Sequence, residues 1–237
     1  MLPEIKGFIP SSLVEWQGRI TSVIFLGGCN LRCPFCHSSE IVLNPKNHPT
    51  IGWECVEKYL KEKAGWVDAV VISGGEPTIH ENLPCLLKSI KNIGYKIKLF
   101  TNGTNPKAIE TLFELKIIDS ISMDIKAPLC GEKYKLASGM QVNINNIKQT
   151  IMFIVKSGIE YEFRTTAVPC ILEKQDIMDI AKDLSLFGVK KFIIQQFIPR
   201  DTLDPSFLNI KPFPDYFLKE IASTINTYIK DVNIANI

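Results

Sequence analysis

The chain has 237 residues, 46% of them hydrophobic and 22% charged, with a formal net charge of +2. That length buries a substantial core in one large or two small domains, and the composition is that of a folded soluble protein, which sets disorder aside. The charge is too small and too dispersed for a nucleic-acid or anionic-membrane surface, so neither is expected as a partner.

The opening stretch, MLPEIKGFIPSSLVEWQGR, lacks the unbroken apolar run of a secretory signal. No later stretch approaches the roughly 18 uncharged apolar residues of a membrane span, so a cytoplasmic protein is expected. The first strand is ITSVIFLG (20–27), and it runs into GGCNLRCPFCHSS (27–39), which carries Cys29, Cys33 and Cys36. A helical pattern over 52–64 follows, then the strand VDAVVIS (67–73), whose last residue Ser73 leads into GGEP (74–77). A helix over 81–93 stops at Gly94, and the strand YKIKLF (95–100) delivers TNG (101–103). After a helix at 106–116, the strand SISMDIK (120–126) carries Asp124 and Lys126 at its end. A helix over 144–157 stops at Gly158, and YEFRTTAV (161–168) contains Arg164. A helix over 174–187 is followed by Gly188, and the strand KKFIIQQF (190–197) precedes a last helix near 214–230. The strands are rich in Val, Ile and Phe with little alternation, as expected when both faces are covered. Six β–α repeats with right-handed crossovers imply an α/β fold with a parallel sheet, curved into a partial barrel or open and doubly wound. No Pro/Ser/Gly linker interrupts the chain, so 1–237 is expected to form a single domain. Trp16, Trp53 and Trp66 are expected to be packing residues.

The unusual residues all fall at strand C-terminal ends, the edge where βα loops converge and ligands bind in parallel β/α folds. Seven cysteines, an odd count without disulfide-scaffold spacing, suit a reducing compartment. Three thiols within eight residues wrap three corners of an iron–sulfur cubane and leave one iron open. The alternative is a Cys3His zinc site completed by His37, His48 or His80. His37 directly follows Cys36, which makes joint ligation awkward, and no second CxxC or HxxxH supports a zinc ribbon.

C-x3-C-x2-C with Phe35 before the last Cys, followed by GGEP after the next strand, resembles the radical S-adenosylmethionine superfamily. The resemblance implies a partial (β/α)6 barrel in which Cys29, Cys33 and Cys36 hold one 4Fe–4S cluster, and the methionyl amino and carboxylate groups of S-adenosyl-L-methionine chelate the fourth iron. It implies that one electron cleaves the sulfonium to a 5′-deoxyadenosyl radical. A fourth cysteine would block the iron that this cofactor occupies. By the same resemblance, Phe35, Ser73, Gly74, Gly75 and Glu76 border the cofactor, with the glycines permitting close backbone approach. Thr101, Asn102, Asp124 and Lys126 resemble more specifically the activating enzymes of glycyl-radical enzymes. In a strand Asp124 and Lys126 share a face. Lys126 is thereby expected at the cofactor carboxylate, Asp124 at the ribose or a cation, and Arg164 further inward. The alternative for these three is an ordinary paired or solvated strand end.

The lead-in GFIPSSLVEWQGRITSVIFLGGCNLRCPFCH is similar to that of anaerobic ribonucleoside-triphosphate reductase activating proteins and pyruvate formate-lyase activating enzymes. The resemblance implies a glycyl-radical enzyme as protein substrate and an electron donor such as flavodoxin or ferredoxin. Two departures stand out: Ser38 replaces the Asn frequent after the Cys-His pair, and Phe100 replaces the acidic residue frequent before TNG, which weighs against a cation site. Cys55, Cys85, Cys130 and Cys170 are scattered, and isolated cysteines behave as small hydrophobes, so no auxiliary cluster is expected. The segment QQFIPRDTLDPSF shows no chemical motif; it is a candidate gate, and Gln195 or Gln196 a candidate for facing the cofactor. Two other functions stay open. One is radical chemistry on a small molecule, as in enzymes resembling 7-carboxy-7-deazaguanine synthase, which product analysis separates. The other is a non-catalytic metal-binding module, which predicts no cofactor turnover.

Overall fold

The computed structural model describes residues 2–236. Eight strands follow one another in sequence order across one sheet: β1 (Ile5–Ser12), β2 (Thr21–Leu26), β3 (Ala69–Gly74), β4 (Lys96–Thr101), β5 (Ser120–Asp124), β6 (Glu160–Ala167), β7 (Lys191–Gln196) and β8 (Asp231–Ala235). β1 is antiparallel to β2, while β2–β3, β3–β4, β6–β7 and β7–β8 are parallel. The helices are α1 (Ser39–Leu43), α2 (Trp53–Glu62), α3 (Leu83–Ile93), α4 (Pro106–Glu114), α5 (Gly131–Ser138), α6 (Ile144–Lys156), α7 (Lys174–Leu186) and α8 (Asp215–Ile225). This α/β order is the one expected, with two strands, β1 and β8, added at the ends and two short helices, α1 and α5, added within. No helix among the described residues is long and apolar enough to cross a membrane.

The chain gathers into two compact units, each built from separated stretches. The first comprises the chain up to Asn30, Glu40–Thr101 and Lys107–Ile121; the second comprises Leu31–Ser39, Asn102–Pro106 and the chain from Ser122 on.

In the first unit, Val23, Ile24 and Leu26 of β2 and Ala69 to Ile72 of β3 are all buried. Such strands lose alternation because both faces are covered. Leu83, Leu86, Leu87 and Ile90 form one buried stripe along α3, at the i, i+3, i+4, i+7 spacing of an amphipathic helix. Leu86→Ala is expected to cost about 2–5 kcal/mol, read as a lower denaturation midpoint at unchanged slope. β1 contains Gly7 and Pro10, which a covered strand would not tolerate but an edge strand does. The hydroxyl of Ser22 donates to the Pro10 carbonyl at 2.6 Å. Trp16 is buried with the Arg19 guanidinium 4.7 Å from its ring centre, a packing role as expected. Trp66, by contrast, is 63% exposed, because it sits in the short turn between α2 and β3.

In the second unit the same stripe recurs three times: Ile147, Thr150, Ile151 and Ile154 of α6; Ile177, Ile180, Ala181 and Leu184 of α7; Leu218, Ile221, Ala222 and Ile225 of α8. α8 stops at the Asn226 cap, short of the expected 230, and the chain then enters β8 beside β7. α5 buries only Tyr134, Ala137 and Ser138.

Candidate active site

In the first unit, the parallel register sets Phe25 beside Ser73 and Leu26 beside Gly74, so the segments leaving β2 and β3 start as neighbours. The Gly75 amide donates to the Leu26 carbonyl (2.9 Å) and the Glu76 amide to the Gly28 carbonyl (2.9 Å). A Cβ on Gly75 would lie 1.7 Å from the Gly28 carbonyl oxygen and 3.3 Å from Cys29 Cβ, so only glycine permits this approach. Gly74 is equally constrained, its Cβ position 2.2 Å from the Leu26 oxygen. The Gly28 amide donates to Ile41 (2.8 Å), and His80 Nε2 donates to the Gly27 carbonyl (3.0 Å). The run into Cys29 is thus tied down before any ligand is considered.

Glu76 is buried, and its Oε1 accepts from the Thr78 amide (3.1 Å), the Thr78 hydroxyl (2.5 Å) and the Thr101 hydroxyl (2.8 Å). The carboxylate therefore ties the GGEP turn to the end of β4.

In the second unit, Cys33 is buried and the Cys36 amide donates to its carbonyl at 3.1 Å, closing a tight turn around Pro34 and Phe35. Lys126 Nζ donates to Asp124 Oδ2 at 3.0 Å and stands 6.0 Å from the centre of the buried Phe35 ring. Burial is the largest influence and opposes the Lys126 ammonium, but Asp124, Cys33 and Tyr134 together more than offset it, so the amine is held above its ordinary value and stays cationic at neutral pH. The Lys126 amide donates to the hydroxyl of fully buried Tyr134 at 3.5 Å. Burial pushes the Cys36 thiol up; the Ser38 amide, Lys126 and Arg32 pull it down, and Asp124 pushes it up.

Asn102 Oδ1 accepts from the amide (3.0 Å) and hydroxyl (2.7 Å) of Thr104, so its side chain shapes the turn after β4. Arg164 Nη2 donates to Gln195 Oε1 at 2.7 Å, whereas Gln196 is buried and donates to the Phe213 carbonyl at 2.6 Å. Only Gln195 shares a face with Arg164. Within this unit Phe35, Cys33, Cys36, Asp124 and Lys126 are thus brought together.

His37 Nε2 donates to the Ile198 carbonyl at 2.7 Å, as His80 does to Gly27, which takes that nitrogen of each ring from a metal. Among the described residues, no three His, Cys, Asp or Glu side chains are gathered as a single-ion site. A cubane needs its thiolates spread wider than one ion does. Sequence reasoning passed over Tyr134 and the structural work of His37 and His80, since the partners are backbone groups, those of the two histidines far along the chain.

A sequence profile of the Radical SAM superfamily matches residues 23–187. A Methanocaldococcus jannaschii protein named "Putative glycyl-radical enzyme activating enzyme MJ1227" is 33% identical over 98% of this chain and 96% of its own. A 7-carboxy-7-deazaguanine synthase of Hyperthermus butylicus is 26% identical over 70% of this chain and 75% of its own. Among solved structures, Streptococcus suis SuiB bound to precursor peptide SuiA superposes with a TM-score of 0.69 at 17% identity, over 90% of this chain. The chain spans 48% of that protein's length, and the likeness is one of fold. With the profile spanning most of the sequence and a relative aligned nearly end to end, the chain belongs to the Radical SAM superfamily.

Proposed function

We propose that this radical SAM enzyme generates a glycyl radical on a partner enzyme. The observation that carries the proposal is the near end-to-end match with the M. jannaschii protein of that name, against matches to 7-carboxy-7-deazaguanine synthases that cover 38% and 70% of this chain. Members of the superfamily use one 4Fe–4S cluster and S-adenosyl-L-methionine. The residues present fit both: soft thiols in the numbers that leave one iron open, a backbone edge at Gly74–Gly75 that a Cβ would fill, and a partly buried cation at Lys126 suited to a carboxylate. When bound and reduced, the pair supplies hydrogen-atom abstraction by a carbon radical derived from the S-adenosyl group.

In this reading Cys29, Cys33 and Cys36 are the cluster ligands. Gly74 and Gly75 present backbone groups to the methionyl amine, with Ser73 ending the strand beneath them. Glu76 and Thr101 hold that edge from behind, and Asn102 fixes the following turn. Lys126 binds the cofactor carboxylate, steadied by Asp124 and Tyr134, while Phe35 keeps water from the ammonium. Arg164, oriented by Gln195, lies further along the same face and is assigned to cofactor or substrate. Residues 1–237 act as a single cytoplasmic domain. The partner favoured by the lead-in sequence is an anaerobic ribonucleoside-triphosphate reductase, with a flavodoxin or ferredoxin as electron donor.

The test mixes anaerobically reduced, cluster-loaded protein with S-adenosyl-L-methionine and the anaerobic ribonucleotide reductase of the same organism. Electron paramagnetic resonance and 5′-deoxyadenosine are read from one tube. A glycyl-radical doublet is expected. Deoxyadenosine without a doublet from any glycyl-radical partner rejects the activase and directs the search to small molecules, beginning with a tetrahydropterin.

A further inference from the structure

The segment Phe197–Asp204 shows no chemical motif, yet in the second unit it grips the residues that carry Cys33 and Cys36. His37 Nε2 donates to the Ile198 carbonyl at 2.7 Å, and its ring stacks on fully buried Phe197 with centroids 6.3 Å apart. The Asp204 amide donates to the Pro34 carbonyl at 2.9 Å, and the Ser39 hydroxyl to the Asp201 carbonyl at 3.2 Å. The segment is itself fixed: Thr202 donates to the Asp204 carbonyl (2.8 Å), the Asp204 carboxylate accepts from the Ser206 amide (2.9 Å), and Phe207 packs edge-on against Phe197.

From another direction, the Arg32 amide donates to the Ser138 carbonyl at 2.8 Å, at the C-terminal end of α5. Gly139, the left-handed cap of that helix (φ +66°), lies so close that a Cβ would stand 2.0 Å from the Arg32 carbonyl oxygen. The stretch Leu31–Ser39 is therefore held near both ends and in the middle, by two parts of the chain more than 100 positions downstream.

We propose that Phe197–Asp204 and Gly139 form a brace that sets the shape of the cysteine loop before any cluster enters it, with His37 and Gly139 as positioning residues. The proposal rests on Cys33 and Cys36 being cluster ligands. A loop shaped in advance spares the cluster the cost of ordering its own ligands, and it resists release of iron afterwards. His37 acts here as a donor of one hydrogen bond and as a flat surface on Phe197, two functions that substitution can separate.

The experiment reconstitutes the parent, His37→Phe and His37→Gln with iron and sulfide. It then measures the rate of cluster loss to an excess of chelator, the electron paramagnetic resonance line shape of the reduced cluster, and the far-ultraviolet circular dichroism. His37→Phe keeps the stack and removes the donor. It is expected to lose its cluster roughly three- to tenfold faster, the span of one lost hydrogen bond, with an altered line shape and unchanged dichroism. His37→Gln, which restores an amide donor, is expected to return both readouts toward the parent. Gly139→Ala and Gly139→Asn are expected to be equally impaired in cluster retention, because close approach to Arg32 excludes any Cβ; a left-handed backbone alone would favour Asn. A parent that takes up no iron overturns the ligand assignment and the brace with it. A parent that holds its cluster beside a His37→Phe variant of identical loss rate and line shape overturns the brace alone.

Discussion

Cys36→Ala is expected to abolish cluster retention and cofactor cleavage while leaving the fold intact. Losing an outer partner of a metal ligand costs 10–100-fold in affinity or activity, and losing a ligand costs more, so activity should fall by more than about a hundredfold. The side chain removed is small and only partly buried, so the protein should still unfold cooperatively near the parent midpoint. Burial raises the Cys36 thiol, which makes the free thiol neutral and inert until a cation draws off its proton. The measurement is iron and sulfide content after reconstitution together with 5′-deoxyadenosine formation. A variant that kept a full cluster and cleaved the cofactor would remove Cys36 from the ligand set.

The second large effect is expected from Gly75→Ala. The added methyl would fall 1.7 Å from the Gly28 carbonyl oxygen, a backbone atom with no rotamer to change. Relief requires β2 or β3 to shift at its end, so the cost should reach at least about 3 kcal/mol, a fall of roughly 6–12 °C in Tm. Two controls isolate the cause. Gly65→Ala places a side chain on a left-handed residue (φ +85°), a strain that Gly75→Ala does not carry, but meets nothing within 4 Å, and should cost only about 1–2 kcal/mol. Gly103→Ala meets the terminal methyl of Met123 at 1.9 Å, the mobile end of a flexible side chain, and should fall between the two. Calorimetric titration with S-adenosyl-L-methionine should show binding lost in Gly75→Ala and kept in Gly65→Ala. Equal stability in all three would mean that the GGEP turn yields freely and is not the fixed edge described above.

Much of the fold is legible in the sequence because its strands are covered and its helices carry regular stripes. VIFL in β2 and the Leu83–Leu86–Leu87–Ile90 face of α3 leave few alternatives. β1 escapes because Gly7 and Pro10 are marks of a turn except on a sheet edge. β8 has five residues and follows a helix whose apolar spacing runs on toward Ile229. α5 lacks a broad stripe, since Tyr134 does most of its packing. The candidate site divides in the same way. Cysteine spacing and GGEP announce themselves because the chemistry lies in adjacent residues. That Glu76 serves Thr101, or that Gln195 and Gln196 face opposite ways to Arg164 and Phe213, depends on partners remote in sequence.

The distance along the chain between His37 and Ile198 has a consequence for biosynthesis. The two are 161 positions apart. At the pace of translation, roughly 5–20 residues per second, the cysteine loop waits about ten to thirty seconds for the residues that grip it. During that interval its thiols are exposed on a nascent polypeptide, open to oxidation and to stray metal. Cluster delivery in the cell therefore belongs after Phe197–Asp204 has been made, and a chain truncated before residue 197 should be a poor acceptor even with all three cysteines in place.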